Sequence, residues 1–172
     1  MIELGRMLTE DEFWQQEFKL ASDWGAWSIN AYGLQRAADV LWKASADDPA
    51  VGVAALMLTG YAVENAIKAF LIFKRPELCA TEQAPIWPGG GDDLARLFDE
   101  GGVAISTEER QVLDRLSEFV VWRGRYTMPK GRAALKAGRA LPWVTLPYPF
   151  EASLSDRALA YQLFDRALAP LE

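Results

Sequence analysis

The chain has no histidine and one cysteine, and neither a secretion signal nor a membrane span is expected of its apolar runs. Each absence removes a class of chemistry. Histidine is the side chain that most readily moves protons at neutral pH, so a tyrosine, a lysine or a perturbed carboxylate would have to do that work here. With Cys79 alone, no intrachain disulfide and no thiolate metal cage can form from one chain, which suits a reducing cytoplasmic setting. The opening residues Met1-Ile2-Glu3-Leu4-Gly5-Arg6 are mixed in charge, unlike the basic region and apolar core of a signal peptide. The longest nearly apolar stretch, Val51–Val63, covers about half a bilayer before Glu64, Asn65 and Lys68 interrupt it, so no membrane span is expected. Gly89-Gly90-Gly91 is not followed by the Gly-Lys-Ser/Thr of a phosphate-cradling loop and reads as a flexible linker. Asp92 and Asp93 have no third ligand at a metal-binding spacing and read as a helix cap, so neither a metal nor a cofactor is expected.

What is present is a helical pattern. Alternating Val, Ile and Thr runs are missing, whereas Ala and Leu recur at three- and four-residue spacing, which predicts an all-α chain. Its 172 residues suffice for one domain with a sizeable core, so residues 1–172 are expected to form a single helical domain. Thr9 and Glu12 have capping-box spacing ahead of a short amphipathic helix to about Leu20. From Ser28 to Ala44, Ala31, Leu34, Ala38, Leu41 and Trp42 form one buried stripe. Pro49 suits a helix start, and the least polar segment, Pro49–Lys74, is predicted to be the central helix, ended by Pro76. Pro85, Pro88 and the glycines make a connection, followed by a short helix from Asp92 to Glu100 with acids in its first turn. Ser106 and Glu109 form a second capping box, for a helix running to about Gly124 with Val112, Leu116, Phe119 and Val120 buried. Tyr126–Phe150, with four prolines and scattered aromatics, reads as an irregular surface segment. A last helix, capped by Ser155, docks through Leu159, Leu163, Phe164, Ala167 and Leu168. Seven tryptophans are too many to bury fully, so some are expected at the surface or an interface.

Charge is unevenly spread. The net charge of −6 argues against general nucleic-acid coating. Yet Phe119–Phe150 holds Arg123, Arg125, Lys130, Arg132, Lys136 and Arg139 with no acid, leaving twelve basic against twenty-four acidic residues elsewhere. Cations near a helix C-terminus are favoured by its dipole whatever their role. The same guanidinium groups match phosphate oxygens, with Trp122 or Tyr126 available to stack on a base. Glu64 and Lys68 lie four apart in the favourable order for an ion pair. Together with Tyr61 and Asn65 they form a polar seam on an apolar helix, which serves either structure or a binding or subunit site.

Three segments resemble the HEPN superfamily, small four- to five-helix domains named for their occurrence in higher eukaryotes and prokaryotes. Gly60–Ala69 is similar to that family's Glu-Asn-x-x-Lys helix, with Glu64, Asn65 and Lys68 at the motif positions. Gly91-Asp92-Asp93-Leu94 is similar to its Gly-His-Asp-Leu segment, with Asp92 where histidine often stands. Leu116–Pro129, with Trp122-Arg123-Gly124-Arg125-Tyr126-Thr127-Met128-Pro129, resembles a fourth-helix end that reads Arg-Tyr-Pro in related proteins. The resemblance covers residues 28–130, an HEPN-like core of a four- to five-helix bundle, with residues 131–172 left as the irregular segment and docking helix. It implies a homodimer, with the central helix or the arginine corner near its two-fold seam. It also implies a place in toxin–antitoxin or defence systems, where partners include RNA, nucleotides or a nucleotidyltransferase-like antitoxin. Many HEPN proteins are metal-independent ribonucleases with an arginine–histidine motif. Arg125 stands where that arginine would, but no histidine follows it.

The expected function is therefore a non-catalytic domain that binds RNA, another phosphate-bearing ligand or a partner protein. Arg123, Arg125, Lys130, Arg132, Glu64, Asn65 and Lys68 are its binding residues. One alternative is an atypical ribonuclease, with Arg125 stabilising phosphate charge and Tyr126 or a carboxylate as base. The other is a structural or protein-interaction module whose exposed tryptophans make the contacts.

Overall fold

The structure, a computed structural model, describes residues 9–79, 85–87, 90–123 and 154–171. Among the described residues six α-helices occur in the order α1 (Glu10–Ala21), α2 (Trp24–Ala44), α3 (Pro49–Lys74), α4 (Leu94–Gly101), α5 (Thr107–Glu118) and α6 (Leu154–Leu168). Short 3₁₀ turns follow α3 and α6, and α5 runs on into a π turn, Phe119–Arg123. Among the described residues there is no strand.

Both capping boxes form. The Glu12 amide donates to Thr9 Oγ1 at 3.3 Å and the Thr9 amide to Glu12 Oε2 at 2.9 Å, while Ser106 and Glu109 reciprocate at 3.1 and 2.7 Å. The α2 helix begins four residues before Ser28 because Asp23 accepts from the Gly25 amide at 2.8 Å and caps it at Trp24. Asp92 and Asp93 precede α4 instead of filling its first turn. Asp93 is the cap, accepting from the Arg96 amide at 3.1 Å. Gly102 ends α4 in the left-handed region at φ 69°. Ser155 is not the cap of the last helix, since α6 already includes Leu154. The α-helical part of α5 stops at Glu118, where the wider π turn takes over.

The core lies around α3, which packs against α2, α4, α5 and α6. Fully buried alanines, Ala31 and Ala38 on α2 and Ala55, Ala66 and Ala69 on α3, keep helix surfaces shallow enough for close approach. Ile67, Leu71, Leu97, Phe98, Leu113, Leu163 and Phe164 fill the centre. Gly60 marks the tightest contact: a Cβ there would lie 2.8 Å from Val120 Cγ2 and 3.3 Å from the Leu116 carbonyl, so only glycine lets α3 meet the end of α5. By length and composition Val51–Lys74 would pass as a membrane span, a longer stretch than Val51–Val63. Two thirds of its most apolar window is buried by the other helices, as in a core helix.

Ion pairs fasten α6 to this core. Arg115 grips Asp156 with two bonds of 2.9 and 2.6 Å, and Arg157 reaches Asp39 of α2 at 2.6 Å. Arg166 binds both Glu109 oxygens, at 2.7 and 3.1 Å, and the Ala104 carbonyl at 2.7 Å. Two-pronged guanidinium–carboxylate contacts fix orientation as well as distance.

Candidate functional site

Tyr61, Asn65 and Lys68 recur at helical spacing on one face of α3, with Glu64 beside them. At the upper end of this stripe the Tyr61 hydroxyl donates to the Val120 carbonyl at 3.3 Å, inside the π turn. In the middle, Asn30 of α2 donates to Asn65 Oδ1 at 2.9 Å, and Asn65 Nδ2 donates back to the Tyr61 carbonyl at 2.7 Å. At the lower end Lys68 and Glu64 form the ion pair that their spacing predicts, with both side chains buried.

Lys68 is also enclosed by aromatic rings. Its Nζ lies 5.0 Å from the Trp87 ring and 5.6 Å from the Trp27 ring, and the two indoles meet edge to face at 5.4 Å. A desolvated ammonium in such a cage is held by the ring quadrupoles as well as by its carboxylate. The Trp27 indole donates to the Ala21 carbonyl at 2.9 Å, which fixes its plane. Gly91 completes the cage. It is buried with φ 86°, and a Cβ there would come within 3.1 Å of Trp87 and 3.2 Å of Lys68 Nζ. The flexible-linker reading of the glycines therefore fails at Gly91, which forms a tight turn packed on Trp87. Gly89 lies outside the described residues.

Lys68 and Glu64 neutralise each other under two indoles, and Asn65 is satisfied on both sides of its amide. The buried trio Glu64, Asn65 and Lys68 shapes the stripe, while the partly open Tyr61 and the exposed Asn30 form its accessible edge. Arg123 closes the π turn one helical turn beyond Val120. Arg125, Tyr126, Lys130 and Arg132 follow it in sequence and lie outside the described residues. Sequence reasoning missed Asn30, and it counted Trp27 and Trp87 only among the tryptophans. Trp87 sits in a Pro-Gly-rich connection and becomes part of the site only through its packing on Gly91.

Elsewhere, Asp39, Arg157 and Tyr161 form a second polar cluster beside Trp42. The Tyr161 hydroxyl donates to Asp39 Oδ1 at 2.5 Å, and the Arg157 guanidinium lies 5.2 Å from the Tyr161 ring and 5.9 Å from that of Trp42. Partial burial opposes the Asp39 charge, but the bonds from Tyr161 and Arg157 outweigh it and hold the carboxyl below its usual range. Burial, helped by the bond to Asp39, pushes the Tyr161 phenol up to about 12. The three groups saturate one another and fasten helices together. Burial pushes the Cys79 thiol up and away from reactivity. Among the described residues, no three carboxylate or thiol side chains are grouped to hold a metal ion.

No protein-family model matches the chain, and comparison with curated proteins and with solved structures finds no significant similarity.

Proposed function

We propose that the protein is a non-catalytic, HEPN-like helical bundle that binds RNA or another phosphate-bearing ligand in a toxin–antitoxin or defence-related setting. One observation carries the reading. The segment that holds six basic residues and no acid begins at the π turn, where Tyr61 holds the Val120 carbonyl at the head of the α3 stripe. Tyr61 and Asn30 form a polar edge on the described helices whose hydroxyl and amide groups can meet base edges or ribose. The π turn is a local departure from α geometry of the kind that recurs at functional sites. The HEPN resemblance rests on the order Glu64-Asn65-x-x-Lys68, which lies on α3, then Asp93-Leu94, which lies at the α4 cap, then the segment that runs through the π turn toward Arg125. The missing histidine disfavours the nuclease variant of that family.

A labelled single-stranded RNA in EDTA, followed by fluorescence anisotropy and gel electrophoresis, tests this directly. Replacing Arg123, Arg125, Lys130 and Arg132 together by Ala should lower affinity at least tenfold at low salt across unrelated sequences. It should also reduce the salt slope by about 3, since each lost single-strand phosphate contact removes roughly 0.7. Absence of binding by the wild-type protein at low salt would sink the proposal. Dose-proportional cleavage that disappears in Arg125→Ala would replace it with the ribonuclease reading.

A further inference from the structure

Two apolar helix faces remain open to solvent among the described residues, and their charges are opposite. The first is α1, a 12-residue helix with no buried residue, whose Phe13, Trp14 and Leu20 are 47%, 52% and 53% exposed. Phe13 and Phe18 flank Trp14 at 5.6 and 6.5 Å, so the rings form one stripe. Glu10, Asp11, Glu12 and Glu17 surround it against the single Lys19. A helix this short is marginal in water, and its capping box closes one end without burying the stripe.

The second is the outer face of α2, where Ile29, Gly33, Ala37 and Val40 follow one another at helical spacing. Ile29 is 76% and Val40 65% exposed, and a Cβ added at Gly33 would meet nothing within 4 Å. Arg36 and Lys43 supply the charge on this side, and the only acid of α2, Asp39, is engaged by Arg157 and Tyr161. The α1 helix cannot be read as covering its own α2 face. It joins α2 through Ser22-Asp23, with its end tied at the Ala21 carbonyl by Trp27, and Ile29 and Val40 stay bare.

We infer that α1 of one copy docks on the outer face of α2 of a second copy, and that the second copy's α1 returns the contact, closing a two-fold dimer. An acidic aromatic helix and a basic aliphatic face are complementary, and both belong to the same chain, so reciprocal docking leaves neither uncovered. Gly33 supplies the shallow point where a bulky ring such as Trp14 can approach the α2 backbone. Phe13, Trp14, Leu20, Ile29 and Val40 expose on the order of 500 Å² of apolar surface per protomer, more than half of the roughly 800 Å² that a stable interface takes from each partner. This seam lies on α1 and the outer face of α2, where Ile29 adjoins Asn30, and its test contains no nucleic acid, so its failure and that of the RNA reading are distinguishable.

Sedimentation velocity on the full chain at micromolar concentration should give twice the 19.2 kDa monomer mass. Trp14→Glu should raise the dimer dissociation constant at least thirtyfold, as for a central aromatic anchor, and Arg36→Glu roughly fivefold to tenfold. Asp11→Lys combined with Arg36→Glu should recover most of that loss, since the reversed charges again attract. All three positions are exposed, and unchanged circular dichroism and melting checks that each variant folds. A wild-type monomer, a ladder of species beyond the dimer, a dimer indifferent to Trp14→Glu and Arg36→Glu, or a double reversal that recovers nothing would each overturn the inference.

Discussion

The α3 and α6 helices both carry charge into the bundle, and they do so in opposite ways. On α3 the pair is local: Glu64 and Lys68 sit one turn apart with side chains only 11% and 7% exposed, and they neutralise each other under Trp27 and Trp87. On α6 the pairs are distant and half open: Asp156, Arg157 and Arg166 reach Arg115, Asp39 and Glu109 on other elements. Burial makes the first pair costly to break and of small net value to have, because desolvation offsets most of the attraction. Partial exposure makes the second set individually modest, but each bond locates a helix that the chain reaches only after a long segment. One arrangement keeps a polar stripe tolerable inside the core; the other decides where a helix docks.

The sharpest way to break this comparison is to remove one partner of the buried pair. Lys68→Met leaves the Glu64 carboxylate in the core without its ammonium and should cost about 3–5 kcal/mol in urea unfolding. Glu64→Leu with Lys68→Met should recover most of that. A single variant that costs under about 1 kcal/mol would mean that the α3 pair behaves like an exposed surface pair.

A smaller effect is expected at the α6 rim, where Glu109 has two duties: it completes the Ser106 capping box and accepts both bonds from Arg166. The Arg166 bonds, against the opposition of burial and with help from the Ser106 amide, hold its carboxyl below the usual range. A folded-state value below the unfolded one means that the stabilisation is present above the ordinary glutamate range, near 4.5, and is lost as pH falls through the lowered value. Glu109→Gln should therefore cost about 2 kcal/mol at neutral pH. The gap between wild type and variant should close on acidification, as read from melting temperatures between neutral pH and about pH 3. A gap independent of pH would show that packing, and not charge, makes this contact.

The same contrast explains how much of the molecule the sequence discloses. Local rules were sufficient for the two capping boxes, the Pro49–Lys74 helix, the Glu64–Lys68 pair and the buried stripes of α5 and α6, because each depends on residues within one or two turns. They missed the start of α2, where Asp23 caps in place of a residue nearer Ser28, and the start of α6, where Ser155 already lies inside the helix. Contacts made across the fold left little trace in the sequence. Asp39 and Arg157 are 118 residues apart, and Gly91 reads as linker in the sequence but takes a positive φ and packs on Trp87. Of the candidate site, the Glu64-Asn65-x-x-Lys68 pattern was legible, whereas Asn30 and the tryptophan cage depend on how α2 and the Trp87 turn lie against α3.

The least effect, and the one that best isolates the α6 rim, is alkaline. The Tyr161 phenol is partly buried and donates to the Asp39 carboxylate, both of which favour its neutral form and push it up to about 12, while Arg157 works the other way. An unfolded phenol ionises near 10, so the contribution is fully present below pH 10 and is lost as pH rises toward 12. Tyr161→Phe removes the hydroxyl and keeps the ring against Arg157, so at neutral pH it should cost only about 1 kcal/mol, the worth of one hydrogen bond. Urea midpoints of wild type and variant should then converge between pH 10 and 12, with the other four tyrosines titrating equally in both proteins. Parallel curves across that window would mean that the phenol does not resist ionisation in the folded protein, and the Asp39–Tyr161 bond would then contribute no more than the ring contact with Arg157.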